Sequence, residues 1–190
     1  LAGCQTAFGW FLNVYIEIFR GTPMIVQSMV IFYGSAQAFN ISLDRTWAAI
    51  FIVSINTGAY MSEIVRGGIL AVDPGQFEAA TALGMTHGQT MRKVVLPQVV
   101  RNILPATGNE FVINIKDTSV LNVISVVELY FTGNTVATQN YQYFPTFTII
   151  AVIYFVLTFT ITRILRYIER RLDSDTYTTG ANQMQVKEVK

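Results

Sequence analysis

Two groups of residues in this 190-residue chain have types and spacing that could do chemistry. The first is Glu78-Ala79-Ala80, followed after three residues by Gly84 and after nine more by Val94, with Leu96-Pro97 closing the pattern. Its chemistry is contact rather than bond-breaking. Glu78 can meet basic groups on another surface, Ala79 and Ala80 let two backbones approach closely, and Gly84 allows a turn that a side chain would obstruct. The second group is Asn109, Glu110, Asn114, Lys116, Asp117, Thr118 and Ser119, set among apolar residues. Ionisable groups inside an apolar segment must face protein or water, and by default they mark a pathway. Lys116 and Asp117 could match the carboxylate and amino group of a zwitterion, with neutral hydrogen bonds from Asn109, Asn114, Thr118 and Ser119. Equally, Lys116 and Asp117 could form internal ion pairs, or helix-end contacts between two subunits, because interhelical polar contacts of about 0.6 kcal/mol are ordinary in membrane bundles.

Other candidates have plainer readings. Glu63 and Arg66 stand three residues apart, close enough on a helix to form a structural pair. His87 lies in a polar stretch with no second His, Cys or carboxylate pair near it in sequence, so it reads as solvated or as a docking residue rather than as a metal ligand. The single cysteine, Cys4, excludes a disulfide framework and a thiolate cluster within one chain. No Gly-rich loop ending in Lys-Ser/Thr is present to hold a nucleotide phosphate, and no nucleophile and base are paired. The expectation is a chain with no catalytic residue, no metal site and no cofactor of its own.

The elements that must position these groups read as membrane helices. The composition is 52% hydrophobic and 13% charged, far from an average soluble domain. Residues 21–43, 46–62 and 142–162 carry no Asp, Glu, Lys or Arg. Each stretch is close to the roughly 17 to 25 residues that cross a bilayer core of about 30 Å. A net charge of +1 argues against nucleic acid as a partner, since phosphate binding needs clustered surplus Lys and Arg. The one basic cluster, Arg163, Arg166, Arg170 and Arg171, directly follows the last apolar run, where such residues hold a helix end on the cytoplasmic side.

The chain is expected to form one transmembrane domain over residues 1–172, with an amphipathic lead at 1–20 and spans near 22–40, 46–68, 98–128 and 145–166. Between them, residues 69–97 are too polar and too broken to cross, and two short helices fit. Asp73 with Pro74 and Gln76 signals a first start and Gly84 a stop; Thr86 with Gln89 signals a second start, and Pro97 its end. The third span, of mixed polarity, is required by the charge asymmetry. Arg92, Lys93 and Arg101 put the middle segment on the cytoplasmic side, whereas residues 128–142 carry no basic residue. Around that outer loop Tyr130, Phe131, Tyr141, Tyr143 and Phe144 fit an interfacial belt. Residues 173–190 show no periodicity and are expected to be a disordered cytoplasmic tail. A start at Leu1 without a signal-peptide pattern reads as a truncated beginning, with a further helix upstream.

The Glu78-Ala79-Ala80, Gly84, Val94, Leu96-Pro97 pattern resembles the cytoplasmic EAA loop of ABC importer permeases, with Val94 standing where Ile is usual. Phe19-Arg20-Gly21-Thr22-Pro23, Ala59-Tyr60 with Glu63, Arg66-Gly67-Gly68 and Lys116-Asp117-Thr118-Ser119 extend the likeness over most of the chain. They look like the polar amino-acid branch, the glutamine, glutamate, histidine and arginine systems.

That resemblance implies an all-α, polytopic type I importer fold in the bacterial cytoplasmic membrane. It implies two permeases side by side, the second being another copy or a related chain, embedded in lipid. It also implies a partner ATPase that holds ATP and magnesium under the EAA loops, and an extracytoplasmic solute-binding protein that delivers the amino acid. A permease for another small solute, such as a metal, phosphonate or dipeptide, would share the EAA loop, and only the polar set in the third span speaks against it. An ion channel or scaffold would leave that loop without purpose.

Overall fold

The computed structural model describes the backbone of residues 7–188 and the side chains of residues 9–171. All regular structure among the described residues is helical. In chain order the helices are α1 (Ala7–Gly21), α2 (Met24–Phe39), α3 (Arg45–Leu70), α4 (Pro74–Ala82), α5 (His87–Thr90), α6 (Leu96–Asp117), α7 (Leu129–Asn140) and α8 (Tyr143–Glu188). A wide π turn, Met91–Val95, joins α5 to α6, and a tight 3-10 segment, Thr118–Ile124, follows α6.

By length and composition, α3 and the Tyr143–Arg171 part of α8 can each cross a membrane. The His87–Ile124 helix and α7 pass the same test together, but a bend of 54° breaks them. With 16 residues, α2 is about 24 Å long, short of a bilayer core of about 30 Å. The four spans expected from the sequence are therefore two unbroken ones, a bent pair and a short apolar helix.

Four boundaries differ from expectation. The second short helix does not end before Pro97. Proline lacks the N–H that an α-helical bond would need, and here it follows a wide turn in which the Leu96 N–H bonds to the Met91 carbonyl five residues back, so the chain continues as α6. The third span is not one helix over 98–128: it tightens at Thr118 and stops at Ser125, whose φ of 60° is left-handed. Residues 129–140, read as an outer loop, form α7, because the Glu128 carboxylate accepts the otherwise orphaned N–H groups of Tyr130 (2.7 Å) and Phe131 (2.6 Å). The helical backbone of α8 also runs on through residue 188, where a disordered tail was expected.

The chain divides into two compact units, Leu1–Glu63 with Glu110–Thr158, and Ile64–Asn109 with Phe159–Lys190. In the first, Ala48, Ala49 and Ile52 of α3 pack on Leu121 and Ile124 of the 3-10 segment, with Ile31 and Phe32 of α2 around them. Small side chains at 48 and 49 suit close helix packing, the usual solution where lipid supplies no hydrophobic drive. The same unit holds a buried polar knot. Gln27 Nε2 donates to the carbonyls of Phe19 and Thr22, each at 2.9 Å, and Asn56 Nδ2 donates to Gln27 Oε1 at 2.9 Å. The amides thus satisfy carbonyls at the end of α1 and tie α1, α2 and α3 together.

In the second unit Val72, Val95 and Val99 form the core, joined by Ile69, Phe77, Met91 and Ile103. A Cβ on Gly68 would overlap Ile103, so glycine is what lets the end of α3 lie against α6 there.

Candidate docking and pathway sites

The Glu78 pattern occupies a helical hairpin in the second unit. Asp73 caps α4 by accepting the Gly75 N–H at 2.8 Å, and Pro74 takes the first helical position. The helix ends in a paired-bond stop: the Met85 N–H reaches the Ala80 carbonyl at 3.1 Å and the Gly84 N–H reaches that of Thr81 at 2.9 Å. Gly84 has φ 72°, and a Cβ built on it would meet nothing within 4 Å. Glycine suits this turn through its backbone conformation, not through crowding within this chain. Thr86 and Gln89 form the expected capping box, at 2.9 and 3.4 Å, and open α5.

This frame sorts the pattern residues. Ala80 is buried within the unit, Val94 is half-buried, and Glu78, Ala79, Gly84, Leu96 and Pro97 are exposed; the buried valine is Val95, outside the pattern. Leu83, which the motif reading passed over, is 82% exposed at the end of α4. An exposed leucine and an exposed carboxylate thus share a short helix that is hydrogen-bonded at both ends. His87, Arg92 and Lys93 are also exposed.

The pathway residues separate by face along α6. Glu110, Asn114 and Asp117 are spaced by four and three residues and form one stripe, while Asn109 and Lys116, seven apart, lie on another face and are exposed. Glu110 is buried, whereas Asn114, Asp117, Thr118 and Ser119 are half-buried. Asn114 is held by Thr57 of α3, whose hydroxyl donates to Asn114 Oδ1 at 3.1 Å. Thr118 returns its hydroxyl to the Ile115 carbonyl at 2.9 Å. Among the described residues neither Lys116 nor Asp117 makes an ion pair within 4 Å, so the internal pairing considered from sequence is not part of this chain's own contacts.

Glu63, which spacing pairs with Arg66, meets Arg20 of α1 at 3.3 Å, and the Arg20 guanidinium lies 5.8 Å from the centroid of the Tyr60 ring. Arg20, Tyr60 and Glu63 thus meet as one cluster, a contact across helices that intrahelical spacing could not disclose. At the other end of the same unit Tyr154 donates to Glu128 at 3.0 Å, so one carboxylate both caps α7 and anchors α8. Tyr141 and Phe144, assigned to the interfacial belt, are exposed, and Tyr130 packs on Phe147 at 5.7 Å. No group of three or more His, Cys, Asp or Glu side chains converges among the described residues.

Membrane-length helices, an exposed hairpin and polar groups along a broken span define a polytopic membrane subunit. Residues 3–174 match the family described as "Binding-protein-dependent transport system inner membrane component", and the chain belongs to that family. It is 41% identical over 178 residues to the glutamine transport system permease protein GlnP of Escherichia coli K12, covering 90% of this chain and 81% of that one. It is 38% identical to the arginine transport system permease protein ArtQ of Bacillus subtilis, over 88% of this chain and 77% of that one. A crystal structure of an amino acid ABC transporter with histidines matches with TM-score 0.79 and 45% identity, over 84% of this chain and 74% of that one. An inward-facing structure of the MetNI methionine ABC transporter, 20% identical with TM-score 0.72, shares the fold. The chain is thus a multi-pass permease subunit of the cytoplasmic membrane with the type I ABC importer fold, as its residues led us to expect.

Proposed function

We propose that this permease carries polar amino acids inward, driven by a separate ATPase that docks on the α4–α5 hairpin. The observation that carries the docking reading is the joint exposure of Glu78, Ala79 and Leu83 on a helix whose two ends are fixed by caps. A lever must be stiff to transmit displacement, and both ends of α4 are hydrogen-bonded into place. The amino-acid reading is supported by the relatives named for glutamine and arginine and by the polar stripe of α6, whose groups suit a zwitterion better than an apolar or purely anionic solute.

In this reading ATP and magnesium sit on the partner. Closure of the ATPase pair draws the hairpins of two permeases together and turns the pathway outward, where a solute-binding protein delivers the cargo; hydrolysis resets it. The permease itself breaks no bond. Glu78, Ala79, Ala80, Gly84, Val94, Leu96 and Pro97 form or support the coupling surface, and Asn109, Glu110, Asn114, Lys116, Asp117, Thr118 and Ser119 belong to the stretch along which cargo passes.

The test is radiolabelled amino-acid uptake in cells expressing the permease with its ATPase and binding protein. Glu78→Lys reverses the charge of an exposed contact residue and is expected to abolish uptake and co-purification of the ATPase while the permease still reaches the membrane. Normal uptake in that variant would sink the docking assignment. Absence of uptake for every amino acid in the wild type would sink the cargo assignment.

A further inference from the structure

The last span runs into a cluster of exposed cations, Arg163, Arg166, Arg170 and Arg171, after a stretch, residues 142–162, that carries no charge. These four do not share one face of α8. Leu165 and Glu169 turn toward α6, where a Cβ on Gly108 would meet them at 3.4 and 3.6 Å. Arg163, Arg166 and Arg170, spaced by three and four residues, form a single stripe turned away from that contact. Among the described residues none of the three makes an ion pair, and Glu169 is the one acidic residue between Leu129 and Leu172. Asp173 and Asp175 come only after the cluster. Like charges at this spacing repel, so the stripe strains its own helix until a counter-charge arrives. Arg171 differs: its Nε and Nη2 donate to the Tyr167 hydroxyl at 3.0 and 2.7 Å, on another face.

Depth says what can supply the counter-charge. From Tyr143 to Arg163 the helix rises about 30 Å at 1.5 Å per residue, the thickness of a hydrocarbon core. The following 10 Å or so, from Arg163 to Arg170, therefore coincide with the headgroup layer on the cytoplasmic side. The Arg163 guanidinium lies 4.8 Å from the centroid of the Phe159 ring, which is exposed one turn nearer the membrane centre, and Ile164 beside it is exposed as well. Only 6% of the most apolar stretch of this helix is buried within the chain. A soluble acidic partner would reach the cluster from the cytosol, past Arg170, whereas Arg163 stands at the edge of the hydrocarbon, where the available anion is a lipid phosphate. The planar guanidinium fork matches a pair of phosphate oxygens.

We propose that the Arg163–Arg166–Arg170 stripe binds the phosphodiester headgroup of an anionic phospholipid in the cytoplasmic leaflet, with Phe159 and Ile164 beside its acyl chains. A zwitterionic lipid fits less well, because its own ammonium competes with the arginines for the phosphate.

The test uses the full-length permease purified with its partner subunits and equilibrated in detergent with equal amounts of phosphatidylglycerol and phosphatidylcholine; native mass spectrometry counts the lipids that stay bound. The wild type is expected to hold phosphatidylglycerol over phosphatidylcholine by about tenfold, since each arginine near an anionic surface is worth about fivefold in binding. Arg166→Gln should lower that preference about fivefold, and Arg166→Lys should keep most of it. Arg171→Gln, which removes the same charge from another face, should lower it less than about twofold. Unchanged elution and melting report that each variant has folded. Equal losses in Arg166→Gln and Arg171→Gln would mean attraction by net charge alone and overturn the site. So would a wild type with no preference, or one that holds neither lipid because protein covers the face. Displacement of phosphatidylglycerol by millimolar inorganic phosphate would assign the stripe to a soluble anion and overturn it too.

Discussion

The hairpin of residues 73–96 and the polar stripe of α6 are both rich in polar side chains, yet they spend them differently. In the hairpin, polar groups close on their own backbone: Asp73 on Gly75, Thr86 and Gln89 on each other's N–H groups. In the stripe, Glu110 has no described partner, and Asn114 uses only its carbonyl. Groups closed on their own backbone stiffen the hairpin, whereas those of the stripe are left available along a broken span.

The largest effect that sharpens this contrast is expected at Gly84. Valine at φ 72° combines a left-handed backbone with a β-branched side chain, which costs well over the roughly 1–2 kcal/mol of an ordinary L-residue there. Gly84→Val should release the end of α4 and abolish uptake. Gly84→Asn, which tolerates that conformation, should retain most of it, because a Cβ meets nothing in this chain. If uptake assays show both variants equally dead, the constraint lies in the partner's approach to Gly84 and not in the backbone.

Much of the hairpin was legible in the sequence because capping is local: Asp73-Pro74, Gly84 and the Thr86–Gln89 pair each act within four residues. The membrane helices α2, α3 and α8 were legible as charge-free runs. What escaped was settled by tertiary context. Pro97 reads as a stop, but the wide turn before it absorbs the missing N–H. The break after Asp117 carries no proline or glycine signal. Ser125 adopts its left-handed φ at the end of a segment whose Leu121 and Ile124 are buried against α3. Arg20 and Glu63 are 43 residues apart, a contact that helical spacing does not reach. The two faces of α6 were readable from spacing alone, and treating residues 109–119 as one set obscured them.

A smaller effect, on stability rather than transport, is expected where a buried polar pair is satisfied. Asn56→Leu removes the donor at 2.9 Å from Gln27 Oε1 and leaves that oxygen buried, at a cost of about 1–2 kcal/mol. Thermal melting of the purified permease should show a fall of several degrees, with part of it recovered in Gln27→Leu/Asn56→Leu, where both polar groups are gone. A melting point unchanged by Asn56→Leu would mean that the knot is dispensable, and that buried polar pairing here does not distinguish structure from pathway.

The smallest effect is expected at Thr86. Alanine there deletes one half of the capping box, worth about 1 kcal/mol locally. Because Thr90 Oγ1 still reaches the Thr86 carbonyl at 3.1 Å, α5 keeps a second tie across its single turn. Hydrogen exchange at Gln89 should rise about fivefold, while uptake stays near that of the wild type. The asymmetry with Gly84 follows from position: Gly84 fixes the end of the helix that presents Glu78 and Leu83, whereas Thr86 only starts the next turn. A loss of uptake in Thr86→Ala as complete as in Gly84→Val would show that the two short helices act as one rigid piece, and that the stiffness of the lever depends on the cap at the second helix as much as on the turn between them.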